Sequence, residues 1–247
     1  GGLNYFDPIA QTFIHYNHDP NDPKSLSSNN VKALFIDSKE NLWIGLYHGG
    51  VNLLSKGSQE FIHFPPFSTI RDDNVLSIAE GKNGIIWIGT LSNRISYYNP
   101  ETKTFVPFNP NASNKNRIAY RMVRDILFDS KQNLWIGTDK GLNVMWHDKV
   151  GFEHIAIKKE NYEYLIQCIQ EDSKGQIWVG LLKGGLALVE PKSKEITVFD
   201  TEEGLAGNNV FGILEDSKHN LWISTNNGLS MFDPQQEKFT NYTIEDG

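Results

Sequence analysis

The sequence predicts an all-β protein, a β-propeller of four-stranded antiparallel blades. Three observations lead there. A run such as DSKENLWIG (37–45) returns as GKNGIIWIG (81–89), DSKQNLWIG (129–137), DSKGQIWVG (172–180) and DSKHNLWIS (216–224). Its five tryptophans lie 44, 48, 43 and 44 residues apart, a period that belongs to propellers or helical arrays. Each repeat also reads as four short strands separated by turn residues, with no helical periodicity, which excludes the array.

Taken in order, residues 1–16 (GGLNYFDPIAQTFIHY) align with GGVNLLSKGSQEFIHF and supply only the third and fourth strands of a blade. The next unit shows all four strands: VKALFID (31–37), LWIGL (42–46), GVNLLS (50–55) and FIHF (61–64). The expected boundaries are a half blade at 1–16 and blades at 17–64, 65–108, 109–155, 156–199 and 200–247. Together they make one propeller fragment of about five and a half blades, the remainder of the ring lying outside this sequence.

The second strand carries the physical reason for stacking. Neighbouring side chains on a strand point to opposite faces, yet Trp and the Ile or Val after it are both large and apolar. Both faces therefore need cover, and identical sheets provide it by packing face to face around an axis. The Gly two places after Trp (Gly45, Gly89, Gly137, Gly180) shares the Trp face and leaves room for the next blade, with Ser224 the exception. The DSKxN stretch is the turn into this strand. Its Asp accepts backbone N–H bonds, and its Asn or Gly suits positive φ.

Composition narrows the function. The 247 residues carry a formal charge of −7 and no basic block, which argues against nucleic acid as a partner. The single cysteine, Cys168, forms no internal disulfide and reads as a small buried hydrophobe. No stretch reaches the ~18 apolar residues of a membrane span. A calcium role for the DSKxN turns is disfavoured, because one carboxylate followed by Lys is a poor oxygen cage. No nucleophile–base pair or metal-ligand cluster comes at a recognisable spacing, so no catalytic residue, cofactor or metal is assigned.

With these residues in view, the unit [ED]DSKG-x-[IL]WIGT-x-x-GL-x-x-[YF]DP resembles the two-component regulator propeller repeat, and the resemblance runs through essentially the whole chain. It implies a periplasmic sensor region of a bacterial hybrid two-component histidine kinase, Bacteroidetes type, cut from a seven-bladed ring. It also implies detection of glycan breakdown products, a companion propeller, homodimerisation in the full-length sensor, and a membrane anchor in segments absent here. WD repeats, the sialidase Asp-box and streptogramin-lyase propellers fit the motif less well.

The chain path places the inter-blade loops and the turns after WIG on one rim, and the DSKxN turns on the other. The first rim varies between copies and the second does not, so binding is expected on the first. Candidates there are Tyr47 and His48, Arg94, Asp139 with Lys140, and Lys183, joined by Arg71, Asp72, Tyr120, Arg121, Tyr162 and Tyr164 from the inter-blade loops. Aromatic faces beside Arg, Lys and Asp suit an oligosaccharide or other small ligand, an acidic one in particular. Arg94 leads the set. Trp146 falls on the opposite rim, either exposed or covering a strand end. The resulting expectation is a non-catalytic sensing propeller, with a protein-contact scaffold as the alternative and a propeller lyase or glycoside hydrolase behind it.

Overall fold

The computed structural model describes residues 1–65, 70, 72–92, 95–108, 118, 122–159 and 162–244. The chain forms two compact units, 1–109 with 121–123, and 110–120 with 124–247. Of the expected site residues, Arg71, Arg94, Tyr120 and Arg121 lie outside the described residues.

The first unit opens with a two-stranded piece, β1 (Leu3–Asp7) and β2 (Thr12–Tyr16). A four-stranded antiparallel blade follows, β3 (Val31–Ile36), β4 (Leu42–Leu46), β5 (Val51–Leu54) and β6 (Phe61–Phe64), each strand paired with its sequence neighbour. A second blade comprises β7 (Val75–Glu80), β8 (Ile86–Thr90), β9 (Ile95–Asn99) and β10 (Thr104–Pro107).

The second unit holds three such blades and one extra hairpin. The blades are β11 (Val123–Phe128), β12 (Leu134–Thr138), β13 (Leu142–Met145) and β14 (Glu153–Ile155); then, after the hairpin β15 (Lys158–Lys159) and β16 (Tyr162–Glu163), β17 (Leu165–Glu171), β18 (Ile177–Leu182), β19 (Gly185–Val189) and β20 (Ile196–Phe199). The last is β21 (Val210–Glu215), β22 (Leu221–Thr225), β23 (Gly228–Asp233) and β24 (Lys238–Tyr242). These are the four-stranded antiparallel blades of a β-propeller. Among the described residues the hairpin β15–β16 has no counterpart in the other blades, and it was not legible from the repeat.

Core packing shows the two-faced strand at work. Trp43 clusters with Val75, Ile78, Ile86 and Ile88 of the next blade, Trp135 with Ile166, Ile169, Ile177 and Val179, and Trp178 with Val210, Ile213, Leu221 and Ile223. The aliphatic after each Trp faces back: Ile44 meets Leu3 and Tyr16 of the two-stranded piece. Each interface thus sets an indole against branched aliphatics, and fully burying one such side chain contributes roughly 1.5–3 kcal/mol. The glycine reading holds as well. A Cβ on Gly45 would come within 2.9 Å of Val75, on Gly137 within 2.6 Å of Ile166, and on Gly180 within 2.7 Å of Val210, each on the following blade.

The DSKxN turn differs from expectation in one detail. Its left-handed residue is the x, not the Asn: Glu40, Gln132 and His219 have φ of 62°, 65° and 66°, and the second and fourth copies use glycine there, Gly84 and Gly175. The carboxylate fixes this shape. Asp37 Oδ1 accepts the N–H groups of Lys39 (2.9 Å) and Asn41 (2.8 Å), while Glu40 N–H donates to Asp37 O (2.9 Å). Where Gly81 replaces the Asp, the turn tightens into a 3-10 element at Lys82–Gly84.

Trp146 covers its strand end. It is half-buried, packs edge-on against Trp135 at 5.7 Å and donates its indole N–H to Glu153 Oε2 at 2.9 Å.

Candidate functional site

Hydrogen bonds place the inter-blade loops and the turns after WIG on one rim within each unit. In the first, Tyr47 N–H donates to Asn30 O (2.9 Å) and Leu91 N–H to Asn74 O (3.1 Å). In the second, Gly141 N–H donates to Tyr164 O (3.1 Å) and Gly185 N–H to Asn208 O (2.9 Å).

His48 and Lys183 occupy the same position in two blades. Both have left-handed φ, 57° and 64°, and both backbone N–H groups are held by the side chain of the Asn immediately before the buried Val that opens the next first strand: Asn74 for His48 at 3.2 Å, Asn209 for Lys183 at 2.8 Å. Their side chains are exposed on the variable rim. The scaffold is constant and the side chain it presents is not, as a set of specificity positions requires.

Around Lys183 the second unit forms a hollow of about 430 Å³ lined by Lys159, Tyr162, Tyr164 and Lys183. Tyr162 is 55% exposed and stands edge-on to buried Tyr164, ring centroids 5.6 Å apart. The hairpin β15–β16 sets the geometry. Lys159 pairs with Tyr162 across it, and Tyr164 N–H donates to Ile157 O at 2.8 Å. Glu163 meets His154 Nε2 at 2.5 Å, which ties the hairpin to β14. The result is a hollow that combines an exposed aromatic side chain with two lysines.

A larger cleft of about 440 Å³ involves Trp178, Lys174 and Glu190 on the DSKxN rim. An equivalent one recurs in the first unit beside Trp43, Lys39 and Glu80. Since both are lined by the repeated residues, they belong to the architecture, and the Tyr–Lys hollow, built on a hairpin seen in one blade among the described residues, is the stronger site.

Two further groups lie on the variable rim. In the first unit Tyr47 packs edge-on against His48 at 4.4 Å, His48 Nδ1 meets Asp73 Oδ2 at 2.6 Å, and the Lys32 ammonium sits 5.6 Å from the Tyr47 ring centre. In the second, Arg124 Nη1 donates to Gln167 Oε1 at 3.0 Å. Burial lowers the Arg124 pKa, against the opposing charge of Asp139. Arg124 Nε and Asp139 Oδ1 are buried without a hydrogen-bond partner among the described residues. Arg124 was missed in the sequence. The available signal is that its position in the first strand changes chemistry from copy to copy: Lys32, Leu76, Arg124, Gln167, Phe211.

Asp72 has a different role from the one expected. It is 3% exposed, and its carboxylate accepts Ser92 N–H and Oγ–H (each 2.6 Å) and Asn74 N–H (3.1 Å). Burial would raise its pKa, but these bonds outweigh it and hold the carboxyl low. It builds the rim. Of the expected residues, the structure brings Tyr162, Tyr164 and Lys183 together, and Tyr47 with His48; Asp139 stands by Arg124. Among the described residues no group of His, Cys, Asp or Glu could hold a metal ion.

Comparison with known proteins fits this architecture. The profile of the two component regulator propeller family matches residues 25–48, 69–92, 118–140 and 204–227. Histidine kinase P4 of Formosa agariphila is 28% identical over all of this chain, which spans 18% of that protein. The extracellular domain of a hybrid two-component system from B. thetaiotaomicron superposes with a TM-score of 0.74 at 23% identity, covering 92% of this chain and 32% of that one. Virginiamycin B lyase of Staphylococcus aureus shares the fold at 16% identity, with a TM-score of 0.70 over 96% of this chain and 76% of its own. The chain thus spans less than a fifth of the curated histidine kinase and about a third of the solved extracellular domain. Four stretches of the chain, each running into or through a WIG strand, thus match the two component regulator propeller family, and the chain is similar to sensor proteins of two-component systems.

Proposed function

We propose that this chain is a non-catalytic, ligand-sensing propeller segment of a hybrid two-component sensor kinase, placed outside the cytoplasm in the periplasm, and that it binds a glycan-derived acidic oligosaccharide. The observation that carries this reading is the hollow that Tyr162, exposed and buttressed by Tyr164, lines together with Lys159 and Lys183. A sugar ring stacks on the phenol face while its carboxylate or sulfate meets the ammonium groups, an arrangement that needs no reacting group. Signalling follows by population shift: ligand favours one arrangement of the full-length sensor's companion propeller or dimer partner, to the extent of its differential affinity. Virginiamycin B lyase shares the fold at 16% identity, which speaks to architecture alone.

Titration calorimetry against matched neutral, uronate-containing and sulfated oligosaccharides tests the reading. Binding is expected for an acidic member, with no product by chromatography. Tyr162→Ala and Lys183→Ala should each weaken it about tenfold, roughly 1.4 kcal/mol. Turnover would establish an enzyme instead, and binding untouched by both substitutions would move the site elsewhere.

A further inference from the structure

In four blades the first strand carries a β-bulge, where its pairing with the second strand skips one residue. The skipped residues are Lys32 between Val31 and Ala33, Leu76 between Val75 and Ser77, Gln167 between Ile166 and Cys168, and Phe211 between Val210 and Gly212. In the third blade the residue at this place in the sequence is Arg124, after Val123. The aliphatic before it is fully buried at Val75, Val123, Ile166 and Val210, whereas the five residues at the bulge position are half-buried or exposed. A bulge leaves its residue outside the ladder and re-aims the side chain. A constant backbone thus presents a cation, an aliphatic, an amide or an aromatic ring, according to the blade.

The bulge residue meets a second variable position, two places after the WIG glycine. In the first unit the Lys32 ammonium lies 5.6 Å from the Tyr47 ring centre, and the next blade has Leu76 and Leu91 at the two places. In the second unit the pair is Arg124 and Asp139, and the Asp139 charge acts on the guanidinium. Opposite charges brought together ordinarily share direct hydrogen bonds. Here Arg124 Nε and Asp139 Oδ1 are both buried and neither has a hydrogen-bond partner among the described residues. Gln167, the bulge residue of the following blade, accepts Arg124 Nη1–H at 3.0 Å and fixes the guanidinium from its other end.

Because the two charges offset one another, the pair does not select an anion. An open N–H donor beside an open carboxylate acceptor matches hydroxyl groups, which both accept and donate. We propose that Arg124 and Asp139 bind vicinal hydroxyls of a neutral sugar residue, with Gln167 as the positioning residue. One hydroxyl accepts Arg124 Nε–H and its neighbour donates to Asp139 Oδ1. Both side chains are half-buried, so rotation brings the shielded atoms to the ligand. The inference rests on the reading of the chain as a glycan sensor, and it adds the chemistry of the ligand's neutral part at residues that do not line the Tyr–Lys hollow.

The test removes the hollow with Tyr162→Ala and Lys183→Ala in the full chain, then titrates that protein with neutral cello-, manno- and xylohexaose. At least one hexaose is expected to bind, with an affinity that changes less than about twofold between about 50 and 500 mM salt, since the pair carries no net charge to screen. Arg124→Lys and Asp139→Asn should each weaken binding about tenfold. Asp139→Asn alters only the charge of a turn residue, so it separates binding from folding. In the chain that keeps both residues, the Arg124 Nε resonance should move on saturation with the sugar. Absence of binding by all three hexaoses overturns the proposal. Binding that either substitution leaves intact also overturns it, and would mean that water alone satisfies the two atoms. The acidic-ligand reading fails separately, when uronate-containing and sulfated oligosaccharides bind the parent chain no better than the chain without the hollow.

Discussion

The carboxylate of Asp129 accepts the indole N–H of Trp135 at 2.9 Å, and the same bond at the same length joins Asp37 to Trp43, Asp172 to Trp178 and Asp216 to Trp222. The aspartate therefore does two things at once: one oxygen shapes the turn, and the other satisfies the only polar atom of a large side chain between blades.

From this bond follows the cost of losing it. Asp129→Ala removes the acceptor for Lys131 N–H, Asn133 N–H, Asn133 Nδ2 and Trp135 Nε1, around an indole that is fully buried. Orphaned buried donors cost about 1–3 kcal/mol each, so a loss of about 3 kcal/mol is expected in urea unfolding. A loss below about 1 kcal/mol would show that the indole is held by packing alone.

Asp216 gives the same bond a pH signature. Its carboxyl is pulled down to about 2, first by the Trp222 indole N–H, with Asn220 and the Lys218 N–H adding to it against the effect of burial. A folded pKa below the unfolded ~3.9 means that its contribution is complete above that value and disappears as pH falls from about 4 toward 2. Comparing acid unfolding of the protein with Asp216→Asn should show a stability difference that is constant above pH 5 and shrinks across that window. A difference unchanged down to pH 2 would contradict the assignment.

The fold was legible because alternation and repetition leave few solutions: Trp and Ile side by side on one strand require cover on both faces, and the copy number supplies it. The site was legible only in part. His48 and Lys183 stand out as variable residues on a constant turn, but the hollow depends on hairpin β15–β16, a departure from the repeat that short polar residues do not announce. Asp72 was misread because a loop carboxylate looks the same in sequence whether it faces solvent or closes a buried turn. The Arg124–Gln167 contact escaped notice because its halves are about one repeat apart, and only stacking brings them together.

The small residue after Trp-Ile gives a sharper packing test. Gly137→Ala would place a Cβ 2.6 Å from Ile166 Cγ2, on a fully buried side chain of the next blade. Overpacking of this kind costs about 1–3 kcal/mol. Ser224 holds the equivalent place on β22 and is exposed, so Ser224→Val is expected to change stability by about 0.5 kcal/mol at most. The contrast between the two, measured by thermal unfolding, isolates close approach of the next blade from any intrinsic strand preference.

Asp125 stands where other copies place Ala33, Ser77, Cys168 or Gly212, and it links two blades: its Oδ2 accepts Ile169 N–H at 2.7 Å while Oδ1 accepts Ile126 N–H at 2.9 Å. Burial raises its pKa to about 7, and the two N–H bonds only partly offset that. The same burial pushes the neighbouring Cys168 thiol up, and the Asp125 charge adds to it. Because the folded pKa lies above the unfolded ~3.9, the native state holds a proton that the unfolded chain has lost. Stability should therefore fall as pH rises from about 4 to 7 and level off above 7. Each pKa unit corresponds to about 1.4 kcal/mol, and because Asp125 keeps some contact with solvent, a total effect of about 1–2 kcal/mol is expected. Asp125→Asn retains an acceptor for Ile169 and carries no charge, so it should match the parent near pH 4 and exceed it at pH 8 in urea unfolding. Parallel pH profiles for the two proteins would mean that the carboxylate stays ionised throughout, with its charge stabilised by the two backbone N–H groups alone.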